Sequence, residues 1–199
     1  MPKIVDKVQM RQRIVESAFR CFADRGYHAS TMAHVALAAG LAKGTVYLYF
    51  DSKDALTTAL VAHIFAGYEA EVAAFDRDHD TLEEFLAGLQ ASLWRNPAGD
   101  RATLVFFEVL GPSLAIPQAR AIVGAFFGQM AQRVGRQIAR LQNLGQITPH
   151  IDPYVTARAL SALLDGLVTH RALFEIPETD YAAQCSAVIT VFASGLKRS

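Results

Sequence analysis

The stretch Gly26–Leu56, GYHASTMAHVALAAGLAKGTVYLYFDSKDAL, decides the fold of this 199-residue chain. Met32, Val35, Ala36 and Ala39 stand at i, i+3, i+4 and i+7, one face of a short helix. Ser30 and Thr31 sit where an N-cap hydroxyl would satisfy free backbone N–H groups. Gly40 follows the last periodic residue, where a helix stop requires left-handed backbone. The small Ala36 leaves room for a second helix, about Ala42 to Leu48, to cross closely, with Leu41 and Val46 dropping into a shared core.

Working outward, Ile14, Val15, Ala18, Phe19 and Phe22 form an apolar stripe on a helix from about Val8 to Asp24, which Arg25-Gly26 ends. Tyr27 should pack over the join. Beyond the turn, Asp51 or Ser52 caps a helix carrying Leu56, Leu60, Ile64 and Tyr68. Three helices round a small core, the last two joined by a glycine turn, make a helix-turn-helix, whose second helix enters the major groove of DNA. Residues 1–53 hold eight Lys/Arg against four Asp/Glu, net +4, and the other 146 residues carry −4. An overall charge of zero therefore conceals a basic amino-terminal end, as a DNA face requires.

The pattern G-Y-x-x-S-T-x-x-x-V-A-x-x-A-G-L-x-K-G-T-V-Y-x-Y-F-x-S-K-x-x-L resembles the DNA-binding domain of the TetR/AcrR family of bacterial transcriptional repressors. The match covers about Val8 to Leu56, a quarter of the chain. The resemblance implies an all-α fold: a three-helix helix-turn-helix domain over residues 1–52, then a helical-bundle domain over 53–199 for effector binding and dimerisation.

Carried over by position, Lys43, Gly44 and Thr45 would face bases or adjoining phosphates. Lysine can donate to guanine and the threonine methyl can meet a thymine methyl. Gly44 would allow close backbone approach. Tyr47 and Tyr49 would donate to phosphate, Lys53 would add a charged contact, and Thr31 would bring a hydroxyl and free N–H groups to the DNA backbone. Lys3, Lys7 and Arg11 are expected to follow DNA as a flexible arm, Arg13 and Arg20 to be solvated surface charges, and His34 to reach DNA or point to solvent. Phe50 is expected in the core. Ala42 departs from the serine or threonine usual in the family, removing a cap typically worth about 1 kcal/mol.

The apolar share of 52% is ample for a core, and Cys21 and Cys185 give no disulfide framework, which suits a reducing cytoplasm. The N-terminal MPKIVDKVQMR has no apolar run, so no signal peptide is expected, and the uncharged stretch Tyr181 to Leu196 is too short and too polar for a membrane span. Further helices are predicted near 53–75, 80–95, 101–115, 118–144, 153–173 and 179–196, separated by proline-containing breaks.

On the last two, Val155, Ala159, Ala162, Leu163, Gly166, Leu167 and His170, with Ala183, Ala187, Val188, Val191 and Phe192, make unusually apolar surfaces. The resemblance implies that they pair with their twins in a homodimer, which would set two recognition helices about 34–36 Å apart on a palindromic operator; a buried hairpin within one chain is the alternative. In the middle helices, Trp94, Phe106, Phe107, Leu110, Phe126, Phe127 and Met130 supply aromatic and apolar area, with Glu108, Gln129 and Arg133 as polar handles. The family binds a small effector there, and such pockets are mostly apolar with few polar groups. Ordinary core is the alternative for each of these residues.

Two other classes compete. An enzyme is disfavoured: the chain lacks H-E-x-x-H, phosphate-loop, G-x-G-x-x-G and G-x-S-x-G motifs, and its histidines are scattered. His79 and Glu83, with Asp78, Asp80 and Glu84, are expected to be solvated charges at a helix N-terminus. No metal or cofactor is implied. The remaining alternative is a DNA-binding protein without an effector, an activator or an architectural factor.

Overall fold

The computed structural model describes residues 7–72, 78–94 and 99–197, with the side chains of 69–72, 92–94, 99–102, 104 and 105 outside that description. Its elements are α1 (Lys7–Arg25), α2 (Met32–Ala39), α3 (Lys43–Tyr47), α4 (Lys53–Val72), α5 (Leu82–Trp94), α6 (Gly99–Ser113), α7 (Pro117–Asn143), α8 (Pro153–Phe174) and α9 (Glu178–Leu196). No strand occurs among the described residues, and the predicted helices agree with these bounds to within one or two residues where both are described. No single helix among them is long and apolar enough to cross a membrane.

The chain divides into two compact units. One contains the residues up to Gly67 with Leu104–Gly124, the other Tyr68–Thr103 with Ala125–Ser199. In the first, α1 packs on α2 and α2 on α3. Of the expected stripe Ile14, Val15, Ala18 and Phe22 are buried and Phe19 is half-buried; Val35, Ala36, Val46 and Phe50, each at most 2% exposed, join them. Gly40 closes α2 at φ 65°, and its N–H and that of Leu41 return to the carbonyls of Leu37 and Ala36. A side chain there would cost roughly 1–2 kcal/mol of left-handed strain.

The second unit is centred on Phe85, Leu89, Val134, Ile138, Leu141, Ala157 and Leu160, all buried, with Met130 packed against them. Asp152 caps α8 by accepting from the N–H groups of Tyr154 and Val155, and Pro153 follows at the helix start. On α9, Val188 and Phe192 turn partly inward, whereas Ala183, Ala187 and Val191 are exposed. On α8, Val155 (66% exposed), Ala159, Ala162 and Leu163 are likewise outward. Leu167 instead packs against the buried Tyr181 and Cys185.

Asp165, on α8, has a carboxyl that desolvation lifts from the ordinary value of 3.8 to about 6. The folded chain thus holds this proton more tightly than the unfolded one. The associated stability is complete below about pH 4 and is lost as pH rises through 6. The residue as a whole is nevertheless exposed, so solvent screens the effect and reduces it. Asp165→Asn should therefore raise the urea midpoint at pH 7 and flatten its change between pH 4 and 6, measured at one protein concentration. An unchanged pH profile would show that the carboxyl is not desolvated.

Candidate nucleic-acid interface

The candidate interface is built on the turn that follows α1. Thr31 caps α2, its hydroxyl accepting from the N–H of His34 at 3.3 Å. Ser30 plays a different part: buried, it donates to the Gly26 carbonyl at 2.8 Å. Ala42 stands at the N-cap of α3 with no side-chain hydrogen bond, as the missing hydroxyl requires. Ser52 caps α4 by accepting from the N–H of Ala55.

From this scaffold Lys43, Gly44 and Tyr47 are exposed, while Thr45 and Tyr49 are half-buried. The Lys43 ammonium lies 5.8 Å from the centre of the Tyr47 ring. A Cβ added at Gly44 would meet nothing within 4 Å. Packing inside the chain therefore gives no reason for glycine at this helical position. Leu48, which follows α3, is 84% exposed.

Several basic residues depart from expectation. Lys7 and Arg11 belong to α1 rather than to a flexible arm, and Lys3 lies outside the described residues. Arg11 donates to the Tyr49 carbonyl at 2.6 Å and sits 4.2 Å above the Phe50 ring. Arg13 is not simply solvated: it donates to the Ala39 carbonyl at 2.6 Å, satisfying the end of α2. Arg20 is exposed on α1, as expected, and bonds the Ser17 hydroxyl of the same helix. His34 is half-buried, and its Nδ1 is screened from solvent with no hydrogen-bond partner.

Lys53 is the most engaged. Its ammonium donates to the carbonyls of Tyr27 and Ser30 at 2.5 and 2.8 Å and lies 4.0 Å from the Tyr27 ring centre. Desolvation pushes its pKa down, opposed by the nearby Cys21 and Asp54. An ammonium has three N–H bonds, so one remains for an external acceptor. Tyr27 also donates its N–H to the Glu108 carboxylate of α6 at 3.1 Å. Sequence reasoning noted Glu108 only as a handle for a ligand.

The residues expected to contact an effector divide between the units. Phe106 meets Phe65 edge-on at 5.6 Å and Phe107 at 5.4 Å, and Leu110 is half-buried beside them in sequence. In the second unit Phe126 lies 6.4 Å from Tyr68 and 5.5 Å from Phe127, while Met130 packs on the core. The Trp94 side chain lies outside the described residues.

The acidic residues at the start of α5, Asp78, Asp80, Glu83 and Glu84, are exposed as expected, and three of them are also engaged. Glu84 accepts from the N–H groups of Asp80 and Thr81, a capping box, and Asp78 and Asp80 pair with Arg140. His79 is half-buried against Phe85 rather than solvated. No group of three or more His, Cys, Asp or Glu suited to a metal ion occurs among the described residues.

Residues 14–60 match the model for bacterial regulatory proteins of the tetR family, and residues 79–193, more than half of the chain, match that for the C-terminal region of BetI-type transcriptional repressors. The HTH-type transcriptional regulator UidR of Escherichia coli K12 is 27% identical over 189 residues, covering 94% of this chain and 89% of UidR. Two solved structures are similar in fold. A TetR transcription regulator from Haloarcula marismortui has a TM-score of 0.80 at 16% identity, over 96% of this chain and 100% of that one. The transcriptional regulator FadR from Bacillus subtilis, in complex with stearoyl-CoA, has 0.73 at 21%, over 93% and 98%.

The Lys53 contacts carry a stability consequence separate from any DNA contact. Lys53→Ala would leave the Tyr27 and Ser30 carbonyls without their charged donor. It should destabilise the folded chain by about 1.5–3 kcal/mol, the range for bonds to a charged group, as read by chemical denaturation without DNA. A change within 0.5 kcal/mol, the ordinary range for surface substitutions, would show that the ammonium does not hold the turn.

Proposed function

The chain belongs to the TetR family of bacterial transcriptional regulators, and from that premise we propose that it is a repressor binding a palindromic operator as a homodimer, released by a small apolar effector. It has no catalytic role in this reading. The observation that carries it is the exposed face of α3. Lys43 and Tyr47 stand clear of the core, and Gly44 lies in open space, so its missing side chain serves an approaching partner rather than internal packing.

Lys43, Gly44 and Thr45 are assigned to base edges and adjoining phosphates. Tyr47, Tyr49 and Thr31 are assigned to the DNA backbone, together with the remaining N–H of Lys53. Repression is supported by the BetI-type repressor model that the C-terminal region matches. An apolar effector is supported by the half-buried aromatics of α6, Phe106 and Phe107, and by the acyl-CoA in the FadR structure of similar fold. The outward apolar residues of α8 and α9 support dimerisation.

The mechanism is a population shift. Glu108 follows Phe106 and Phe107 on α6 and accepts from the Tyr27 N–H in the turn before α2. An effector that displaces α6 would strain this bond and favour a dimer whose recognition helices no longer fit the half-sites. By linkage, DNA must then weaken effector binding by the same factor.

Selection of bound genomic fragments should return an inverted repeat. No preference for any such repeat over random DNA at low ionic strength, with or without lipophilic compounds, would overturn the assignment. Gly44→Ala should keep or raise the melting temperature, since alanine favours a helix by about 1 kcal/mol, yet weaken operator binding at least tenfold. Lys43→Ala should weaken binding and lower the salt slope by about one; an unchanged slope with unchanged affinity would remove Lys43 from the interface.

A further inference from the structure

Away from the helix-turn-helix, the second unit contains a cleft of about 500 Å³ whose lining includes Asp78, Arg133, Arg136, Gln137, Arg140 and Tyr154. We infer that this cleft is a binding site for a small phosphate-bearing molecule, with guanidinium groups on the phosphate and the Tyr154 ring against a flat group attached to it. The inference goes beyond the regulator reading and stands or falls separately from DNA binding.

Arg133, Arg136 and Arg140 stand at i, i+3 and i+7 and so share one face of α7. Planar guanidinium forks match phosphate oxygens in bidentate geometry, which a cluster of lysines would not. Arg140 is held in place from the side: it bonds Asp80 through Nε at 3.0 Å and through a terminal nitrogen at 2.5 Å, and it lies 3.5 Å from Asp78. Gln137, 7% exposed, fixes the same edge by donating to Asp78 at 3.3 Å and accepting from the His79 N–H at 3.1 Å. The one carboxylate lining the cleft is thus already engaged by Arg140 and Gln137. Arg136 is exposed and has no ion pair or hydrogen bond among the described residues.

The aromatic wall depends on a missing side chain. A Cβ at Gly135 would come within 2.5 Å of Tyr154 Cδ1 and 3.2 Å of Cγ, the root of the ring rather than its flexible end. Only glycine lets the ring lie against the backbone of α7 beside Arg136. Tyr154 nevertheless remains 48% exposed, so ring surface is left for a planar group. The cleft volume falls within the usual range for small-molecule sites, about 300–1,000 Å³.

The test is calorimetric titration of the full-length protein with pyrophosphate and with ADP at physiological salt, sulfate serving as the control for simple screening. Both phosphate compounds should bind saturably, one per chain, and sulfate more weakly. Arg136→Ala should reduce both affinities at least tenfold, while Tyr154→Leu should weaken ADP at least fivefold and leave pyrophosphate within twofold. If Tyr154→Leu fails to fold, Gly135→Ala, which displaces the same ring, replaces it with the same expectation. Absence of saturable binding at millimolar concentration, heats that follow ionic strength alone, or unchanged affinities in Arg136→Ala would overturn the site. So would an Arg136→Ala variant that loses operator binding while keeping pyrophosphate affinity, since that would make this face a DNA contact. Failure of the operator selection would leave the phosphate titrations unaffected, which separates the two readings.

Discussion

The backbone of Tyr27 is where the first unit is held together. A turn between two helices leaves polar groups that must be paired or exposed to water. Here the N–H goes to Glu108 on α6 and the carbonyl to Lys53 on α4, while the ring is buried edge-on to Phe22. A single residue thereby joins three helices to the start of α2. The position of α2 in turn sets that of α3, through the left-handed Gly40 and the return of the Leu41 N–H to Ala36.

That dependence matters because α3 has no means of stabilising itself. Five residues are far below the roughly 12–15 at which an isolated helix becomes even marginal in water, and its N-cap lacks a side-chain bond. Its conformation comes from the burial of Val46 and Phe50 and from Arg11, which caps the Tyr49 carbonyl and covers the Phe50 ring. The same arrangement leaves Lys43, Gly44 and Tyr47 on the outer side. Preorganisation of the exposed face and burial of the inner one are therefore a single event.

Much of this was legible in the chain. The i, i+3, i+4, i+7 spacing of Met32, Val35, Ala36 and Ala39, closed by Gly40, located α2 within a residue, because both signals are local. The partners of Arg11, Arg13 and Lys53 were not legible. These side chains reach carbonyls 38, 26 and 26 residues away, and no local pattern marks a carbonyl as needing a donor. The cleft on α7 was hidden for a related reason. The spacing of Arg133, Arg136 and Arg140 alone describes any solvated helix face, and it becomes a cleft only when Tyr154 and Asp78 arrive from other elements. The two apolar terminal helices were divided correctly only by the structure, which turns Leu167 and Phe192 inward and Val191 outward.

Magnitudes favour the Tyr27 junction as the transmitter in the proposed regulation. Allosteric coupling is typically about 1–3 kcal/mol, and a hydrogen bond to a charged group contributes about 1.5–3 kcal/mol, towards the lower end here because Glu108 is exposed. Loss of the one bond between Glu108 and Tyr27 is thus of the size required, and no rearrangement of the buried core need accompany it. The buried residues around Phe22 and Val46 would resist graded deformation, since close-packed interiors transmit strain rather than absorb it. A displacement of α6 would then move the turn and α2 together. On this account Glu108→Ala should retain operator binding yet lose most of any effector-dependent release, whereas a core substitution such as Val46→Ala should weaken operator binding with and without effector alike. If instead Glu108→Ala responds to effector as the parent does, coupling must pass through apolar packing of α6, and the carboxylate would serve only to hold the turn.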